Sequence, residues 1–422
     1  MSRGVATAGA PLPLPADLAV GLRRALWRRR ATALLLTLPL FAFLLLTLLI
    51  PIGVLLTRAV ENPEIAGALP GTVQALRHWD RVDTPPEAAF AALLGDLAAI
   101  RETADAGALA RRLNTEISGA RSLIMGTYRA LPERVVTGAG TVSGARDWLV
   151  GVDPRWAEPA WWIAIAKNSA RWTPDYLLGA VDLRRDARGT VIAVDDEHAA
   201  FRRIFGRTFR ISAAVTAWCL VLGYPLAWWL STLPARRANL LMIVVLVPFW
   251  TSILVRVAAW IVLLQSEGLV NQSLRGIGLI DEPLALLFNR TGVLIAMVHI
   301  LLPYMILPLY SVMKAVPPTY LRAAVSLGSP PLAAFFRVVV QQTYPGIGAG
   351  ALLVFILSIG YYVTPALLGG ADDQMISYYI AQYTNVSVNW GVACGLGAVL
   401  LAATLLLYAV YRRVVRTELA LG

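Results

Sequence analysis

The sequence predicts an all-α polytopic membrane protein: six transmembrane helices, with a large domain inserted after the first. Three observations carry this. The chain is 57% hydrophobic and 15% charged, whereas an average soluble domain carries roughly 25% charged residues. Six apolar runs are long enough for a hydrocarbon core of about 30 Å, which takes about 20 residues of helix. Between the first run and the second lie residues 58–207, whose composition is that of an ordinary soluble domain.

The six runs are residues 31–56, 208–233, 239–264, 291–313, 346–368 and 391–411. Pro39, Pro51, Pro225, Pro248, Pro303 and Pro308 fall within them; membrane helices tolerate proline because neighbouring helices and side chains re-satisfy the freed carbonyls. Arg23, Arg24, Arg28, Arg29 and Arg30 precede the first run as a secretory signal's basic region would. Signal cores are only about 7–15 residues long, and no small-residue cleavage site follows, so a retained anchor is expected. The expected division is residues 1–30 cytoplasmic, 31–57 first helix, 58–207 inserted domain, 208–412 membrane core with five helices, and 413–422 cytoplasmic tail.

Charge sets the expected orientation. Residues 58–207 hold equal numbers of basic and acidic side chains, so the net charge of +11 resides elsewhere. With the N-terminus inside, the cytoplasmic segments collect the N-terminal arginines, then Arg236 and Arg237, then Lys314, Arg322 and Arg337, then Arg412, Arg413 and Arg416. The positive-inside rule favours that arrangement, with both termini on the cytoplasmic side and the inserted domain outside. Topology accounts for the arginines and no recognition motif accompanies them, which excludes nucleic acid as a partner; membrane lipid is the partner implied.

Cys219 and Cys394 fall within predicted helices and read as packing residues, so the inserted domain has no disulfide framework. His78, His198 and His299 are too scattered for a metal site, and His299 reads as a packed or hydrogen-bonded residue. In the inserted domain, residues 88–113 read as amphipathic helix. Trp148, Trp156, Trp161, Trp162 and Trp172, among Pro154, Pro159 and Pro174, fit either an aromatic core or an interfacial belt.

Residues 314–345 differ from the other links. Pro317 and Pro318 suit a helix start, Gly328 ends that helix without a Cβ penalty, and Ser329-Pro330 starts a second short helix. Two short helices therefore form an elbow at the cytoplasmic face. Within it, Leu321, Arg322, Ala323, Ala324, Leu327, Gly328 and Ser329, followed by Phe336, Val338, Pro345, Gly346 and Ile347, resemble the "EAA" loop of ABC importer permeases. Leu222-Gly-Tyr-Pro-Leu-Ala-Trp-Trp229, residues 247–260, Leu302-Pro-Tyr-Met-Ile-Leu-Pro-Leu-Tyr310 and Val363-Thr-Pro-Ala-Leu-Leu-Gly-Gly370 resemble the spermidine/putrescine-type subfamily. The resemblance covers the first anchor and the chain from about Thr208 onward, not the inserted domain.

What the resemblance implies is a type I ABC importer permease core whose 314–345 loop docks on a separate ATPase. The chain has only Lys167 and Lys314, neither in a P-loop context, so this subunit is expected not to be an enzyme. ATP and Mg then belong to a partner ATPase present in two copies, and this chain binds no cofactor and no metal. Two ATPases need two elbows, hence a second homologous permease or a second copy of this chain, alongside a periplasmic substrate-binding protein. Two departures stand out: Arg322 occupies the usual glutamate position of the motif, and Tyr361 stands where the subfamily commonly has glutamate.

The readings from other classes are a secondary transporter and a membrane anchor for the inserted domain. Secondary transporters usually carry intramembrane carboxylates, and the six runs contain no Asp or Glu. Arg256, about 25 Å along a continuous third helix at 1.5 Å per residue, is expected to face the bundle interior, as a structural hub or a cargo contact. Trp250, Trp260, Tyr304, Tyr361 and Tyr362 are the remaining candidates for the substrate path. The cargo class is a small polyamine-like or amino-acid-like organic solute. With no carboxylate in the runs, a neutral, zwitterionic or anionic solute is favoured over a polyamine held mainly by this subunit.

Overall fold

The computed structural model describes residues 16–131, 144–186, 189–195 and 199–421; His198 lies outside them. Among the described residues, six helices are long and apolar enough to cross a membrane: Trp27–Arg58, Phe201–Thr232, Ile253–Gly276, Arg290–Ala315, Pro331–Ile359 and Trp390–Arg413. They are called the first to sixth spans below.

The chain divides into two compact units, Met1–Thr57 and Arg58–Gly422. In the smaller unit, helix Ala16–Leu44 passes through a π-turn at Leu45–Leu49 into helix Ile50–Arg58. The π-turn sits just ahead of Pro51, whose ring and missing N–H break the regular ladder. Thr32, Thr37, Thr47 and Thr57 return their hydroxyl protons to carbonyls four residues earlier at 2.8–3.0 Å, so these four hydroxyls are satisfied within the helix.

In the larger unit, the inserted segment folds as short helices around its own core. Phe90, Trp156 and Trp162 are fully buried at its centre, with ring centroids of Phe90 and Trp162 4.5 Å apart and those of Trp156 and Trp162 5.4 Å apart. Both indole N–H groups are satisfied, by Thr127 Oγ1 and by the Trp156 carbonyl, each at 2.9 Å. The tryptophans thus build a core, except Trp172, which is exposed. The expected helix over 88–113 is two, Glu87–Ala99 and Thr103–Asn114, because Ile100 and Glu102 adopt extended backbone and interrupt it.

The all-α expectation needs a correction here. Strand β1 (Leu183–Arg185) pairs antiparallel with β2 (Val191–Ala193), Leu183 opposite Ala193. Gly189, at φ +86°, helps turn the chain between them. Arg185 on β1 grips Asp175 bidentately at 2.6 and 2.7 Å.

The membrane core forms around the second, fourth and fifth spans, with Val215, Met297, Met305, Ile306 and Val354 fully buried between them. Two expected helices are corrected. Residues 239–264 are not one helix: Ala235–Leu246 gives way to a 3₁₀ turn at Val247–Trp250, extended backbone at Thr251 and Ser252, and a new helix at Ile253–Leu264. Pro248 in the turn has no N–H to continue an α-ladder. The apolar stretch runs on past a turn to Gly276, so the depth of Arg256 cannot be counted along a single helix. The fifth span begins at Pro331, not at 346, and ends at Ile359; Val363–Leu368 is a separate short helix. The second arm of the elbow is therefore the start of the fifth span. A π-turn at Phe335–Val340 precedes Pro345 and lets the helix run through it.

Candidate functional site

The elbow is built from chemistry local to its sequence. Pro318 is the first residue of helix Pro318–Ser326, where a missing N–H costs nothing. Gly328 has φ +92°; its N–H bonds the Val325 carbonyl at 3.0 Å, and that of Ser329 bonds the Ala324 carbonyl at 3.1 Å. This pair of bonds is a Schellman C-cap, which needs a left-handed residue at the glycine position. The cap ejects Leu327 into solvent, 89% exposed. Tyr320, Val325, Leu332 and Phe336 are exposed as well, so the elbow carries an apolar face that the described residues leave uncovered. Arg322 and Ala323 are exposed; Leu321, Ala324 and Ser329 are half-buried.

Phe335, which the sequence did not single out, and Lys314, which it read only as a cytoplasmic charge, fasten the elbow to the second span. The Phe335 ring packs edge-on against Trp228 at 5.1 Å and Tyr224 at 6.2 Å. Lys314 donates to the carbonyls of Ser231 and Leu233 at 3.1 and 3.0 Å, placing a cation on the C-terminal end of the second span, where the helix dipole favours it. Tyr224 and Thr343 share a hydroxyl hydrogen bond of 3.0 Å. Phe336, which the motif named, stays exposed, and its neighbour Phe335, within the same π-turn, is the aromatic that packs on the second span.

Of the path candidates, Arg256, Tyr304 and Tyr361 come together. Arg256 lies within electrostatic reach of Tyr361 and His299, and its Nε is buried with no hydrogen-bond partner among the described residues. The Tyr304 ring packs against Phe249 in a tilted pair, centroids 4.7 Å apart. Trp260 donates its indole N–H to His299 Nδ1 at 3.2 Å. Trp250 is 74% exposed and Tyr362 is exposed too; no ring contact joins either to this group among the described residues.

At the far end of the second span, a polar latch appears that composition could not reveal. Arg290 pairs with Asp373 at 3.0 Å, Arg207 donates to the Asp372 carbonyl at 2.6 Å, and Thr208 Oγ1 accepts the Ile376 N–H at 2.9 Å. Among the described residues there is no cluster of metal-ligating side chains.

Six apolar helices and a capped elbow between the fourth and fifth define a multi-pass membrane permease. Residues 220–417 match the family described as binding-protein-dependent transport system inner membrane component. The spermidine/putrescine transport system permease protein PotB of Escherichia coli K12 is 36% identical over 50% of this chain and 76% of its own length. Its Haemophilus influenzae counterpart is 36% identical over 50% of this chain and 74% of its own. A chain of a solved bacterial alginate ABC transporter aligns over 51% of this chain and 78% of that one, at 16% identity and a TM-score of 0.43. The chain belongs to the binding-protein-dependent inner-membrane component family and is an ABC importer permease of the spermidine/putrescine type, located in the inner membrane as a multi-pass protein.

Proposed function

We propose that this subunit forms half of an importer's substrate path and takes its power stroke through residues 314–345. The observation that carries the reading is the elbow: a Schellman-capped helix with Leu327 thrust into solvent, continuous through its second arm with the fifth span. That span, Pro331–Ile359, is about 43 Å of helix at 1.5 Å per residue. A displacement of the elbow by a docked ATPase moves the whole rod, and Phe335 and Lys314 carry the motion to the second span. This is rigid-body coupling, which packed interfaces transmit because they are not continuously deformable. ATP and Mg reside on two ATPase copies, and a second permease, homologous or a second copy of this chain, supplies the other elbow. The inserted domain lies on the periplasmic side with the binding protein, and both termini are cytoplasmic.

The cargo is a small organic solute of the polyamine or amino-acid-like class. The names of the relatives favour a polyamine; the six apolar runs of the sequence contribute Arg256 and aromatic rings but no carboxylate, and Glu267, within the third span, lies in the turn beyond Leu264. Both hold if this subunit offers cation–π faces, worth about 0.5–2 kcal/mol each, and the partner permease or binding protein carries the compensating charge. The test is ATPase stimulation in reconstituted vesicles with the cognate binding protein, comparing spermidine with amino acids and dicarboxylates. Stimulation by spermidine that falls on Tyr361→Phe supports a polyamine path through this subunit. Stimulation confined to the anionic solutes overturns it.

A further inference from the structure

The second span is longer than a bilayer core requires. Phe201–Thr232 is 32 residues, about 48 Å at 1.5 Å per residue, against a core of about 30 Å. Lys314 holds the Ser231 and Leu233 carbonyls at one boundary. Counting back from Thr232, Arg210 falls about 33 Å away, at the opposite boundary, and Arg202 and Arg203 rise into the headgroup layer.

Arg202, Arg203, Gly206 and Arg210 share one face, within an arc of about 100° at 3.6 residues per turn. With Asp182 and Ala199 they line an open cavity of about 730 Å³. Arg203 Nε donates to the Ala199 carbonyl at 3.0 Å and Arg210 Nε to the Gly206 carbonyl at 3.3 Å. Those bonds orient both guanidinium forks, and no hydrogen bond or ion pair engages their Nη atoms among the described residues. Asp182 is the one carboxylate in the lining: its oxygens accept the N–H groups of Phe201 and Arg202 at 3.0 and 2.7 Å and it is ion-paired with Arg202 Nε at 3.8 Å, which leaves the charges of Arg203 and Arg210 in excess. Directly below on the same helix face, Ala213, Ala217 and Val221 are exposed and small or slender. A basic, hydrogen-bond-donating cavity in the headgroup layer thus opens onto an apolar strip of hydrocarbon depth.

We propose that this face binds an anionic phospholipid, its phosphate on the Nη groups of Arg203 and Arg210 with Arg202 alongside, and an acyl chain along Ala213, Ala217 and Val221. Guanidinium forks match phosphate geometry in paired hydrogen bonds. The apolar strip distinguishes a lipid from a free anion, which needs no such extension, and from an acidic protein surface, which would not reach below the headgroups. The site is separate from the elbow and from the Arg256 group.

The experiment uses the full chain, purified and delipidated in detergent, titrated with phosphatidylglycerol and with phosphatidylcholine of the same acyl chains, bound lipid being counted by native mass spectrometry. The expected result is preferential retention of phosphatidylglycerol by the wild type. R203Q/R210Q should weaken it by on the order of tenfold or more, since each basic side chain near an anionic surface contributes about a factor of five. R236Q/R237Q, on the opposite side of the bilayer, should leave it unchanged. A217W keeps every charge and blocks the strip, so it should weaken phosphatidylglycerol too, which covers the event that the arginine variant fails to fold. Equal retention by wild type, R203Q/R210Q and A217W overturns the proposal. Displacement of the lipid by millimolar inorganic phosphate, with A217W silent, assigns the cavity to a free anion and overturns it as well. Loss of binding-protein association in R203Q/R210Q with lipid retention unchanged assigns the patch to a protein and likewise overturns it.

Discussion

Tyr176, from the inserted domain, fills a slot in the sixth span opened by Gly391 and Gly395. A Cβ on Gly391 would fall inside the Tyr176 ring, and one on Gly395 would sit 2.6 Å from the Tyr176 carbonyl oxygen. The other side of the ring carries the Arg112 guanidinium at 5.0 Å, itself buried and bonded to Asn62 and Asn168. A glycine pair four residues apart in a membrane helix normally admits another helix; here it admits one aromatic side chain, and through it the inserted domain is seated on the transport core.

That seat predicts a compensating pair. Gly391→Ala should destabilise by about 1–3 kcal/mol through overpacking, and Tyr176→Ala by about 3–5 kcal/mol through the cavity it leaves. The double variant should cost clearly less than the two losses added, because the new methyl enters the vacated space. Thermal unfolding of the purified chain in detergent measures all three; strict additivity would show that the two residues do not pack on each other.

Gly328 predicts a graded series. Open space surrounds it, with nothing within 4 Å of a Cβ, so the cost of substitution is conformational: about 1–2 kcal/mol for a left-handed L-residue. Asn tolerates that region better than Ala, and Val tolerates it worst. ATPase association, read by co-purification, should therefore fall in the order Gly328→Asn, Gly328→Ala, Gly328→Val, while membrane insertion is unchanged. An unaltered association across the series removes the elbow from the coupling scheme.

Orientation is checked by labelling intact cells with an impermeant thiol reagent. Cysteine at Ala104, exposed in the inserted domain, should react; cysteine at Ser329 in the elbow should react only after permeabilisation. The buried native Cys219 and Cys394 should give little background. The opposite pattern reverses the topology.

Asp175 predicts how the inserted domain responds to acid. Burial raises its pKa, but the hydrogen bonds from Arg185 and Thr173 and the charges of Arg185 and Lys167 outweigh burial and hold it below its ordinary value. A carboxyl that is more acidic folded than unfolded stabilises the fold above its unfolded pKa of about 3.9, and that contribution disappears as pH falls through the folded value. Asp175→Asn should lower stability at neutral pH and flatten its decline below about pH 4, followed by tryptophan fluorescence in the intact chain. An acid profile identical to wild type would mean the Asp175–Arg185 pair does not hold β1 to the Tyr176 helix.

The sequence by itself determined that six stretches are apolar enough to enter the membrane and where the elbow bends, but it misplaced the bounds of the third and fifth. Hydrophobic transfer acts on each run of about 20 residues separately, and the proline starts and the glycine stop act within a single turn, as Pro318 and Gly328 do. Tertiary structure decided what depends on distant partners. Whether Pro248 breaks a helix while Pro345 is absorbed by one turns on the neighbouring turn geometry, which composition does not encode. Trp156 and Trp162 became core, not interfacial belt, because Phe90 and Thr127 meet them from elsewhere in the chain. Arg202 and Arg203 fell in the neutral soluble segment and Arg210 in the second apolar run; only the length and facing of the helix that carries them put Arg203 and Arg210 together over an apolar strip. Gly391 and Gly395 gave no sign of Tyr176, more than two hundred residues earlier, since a glycine advertises room for a partner without naming it.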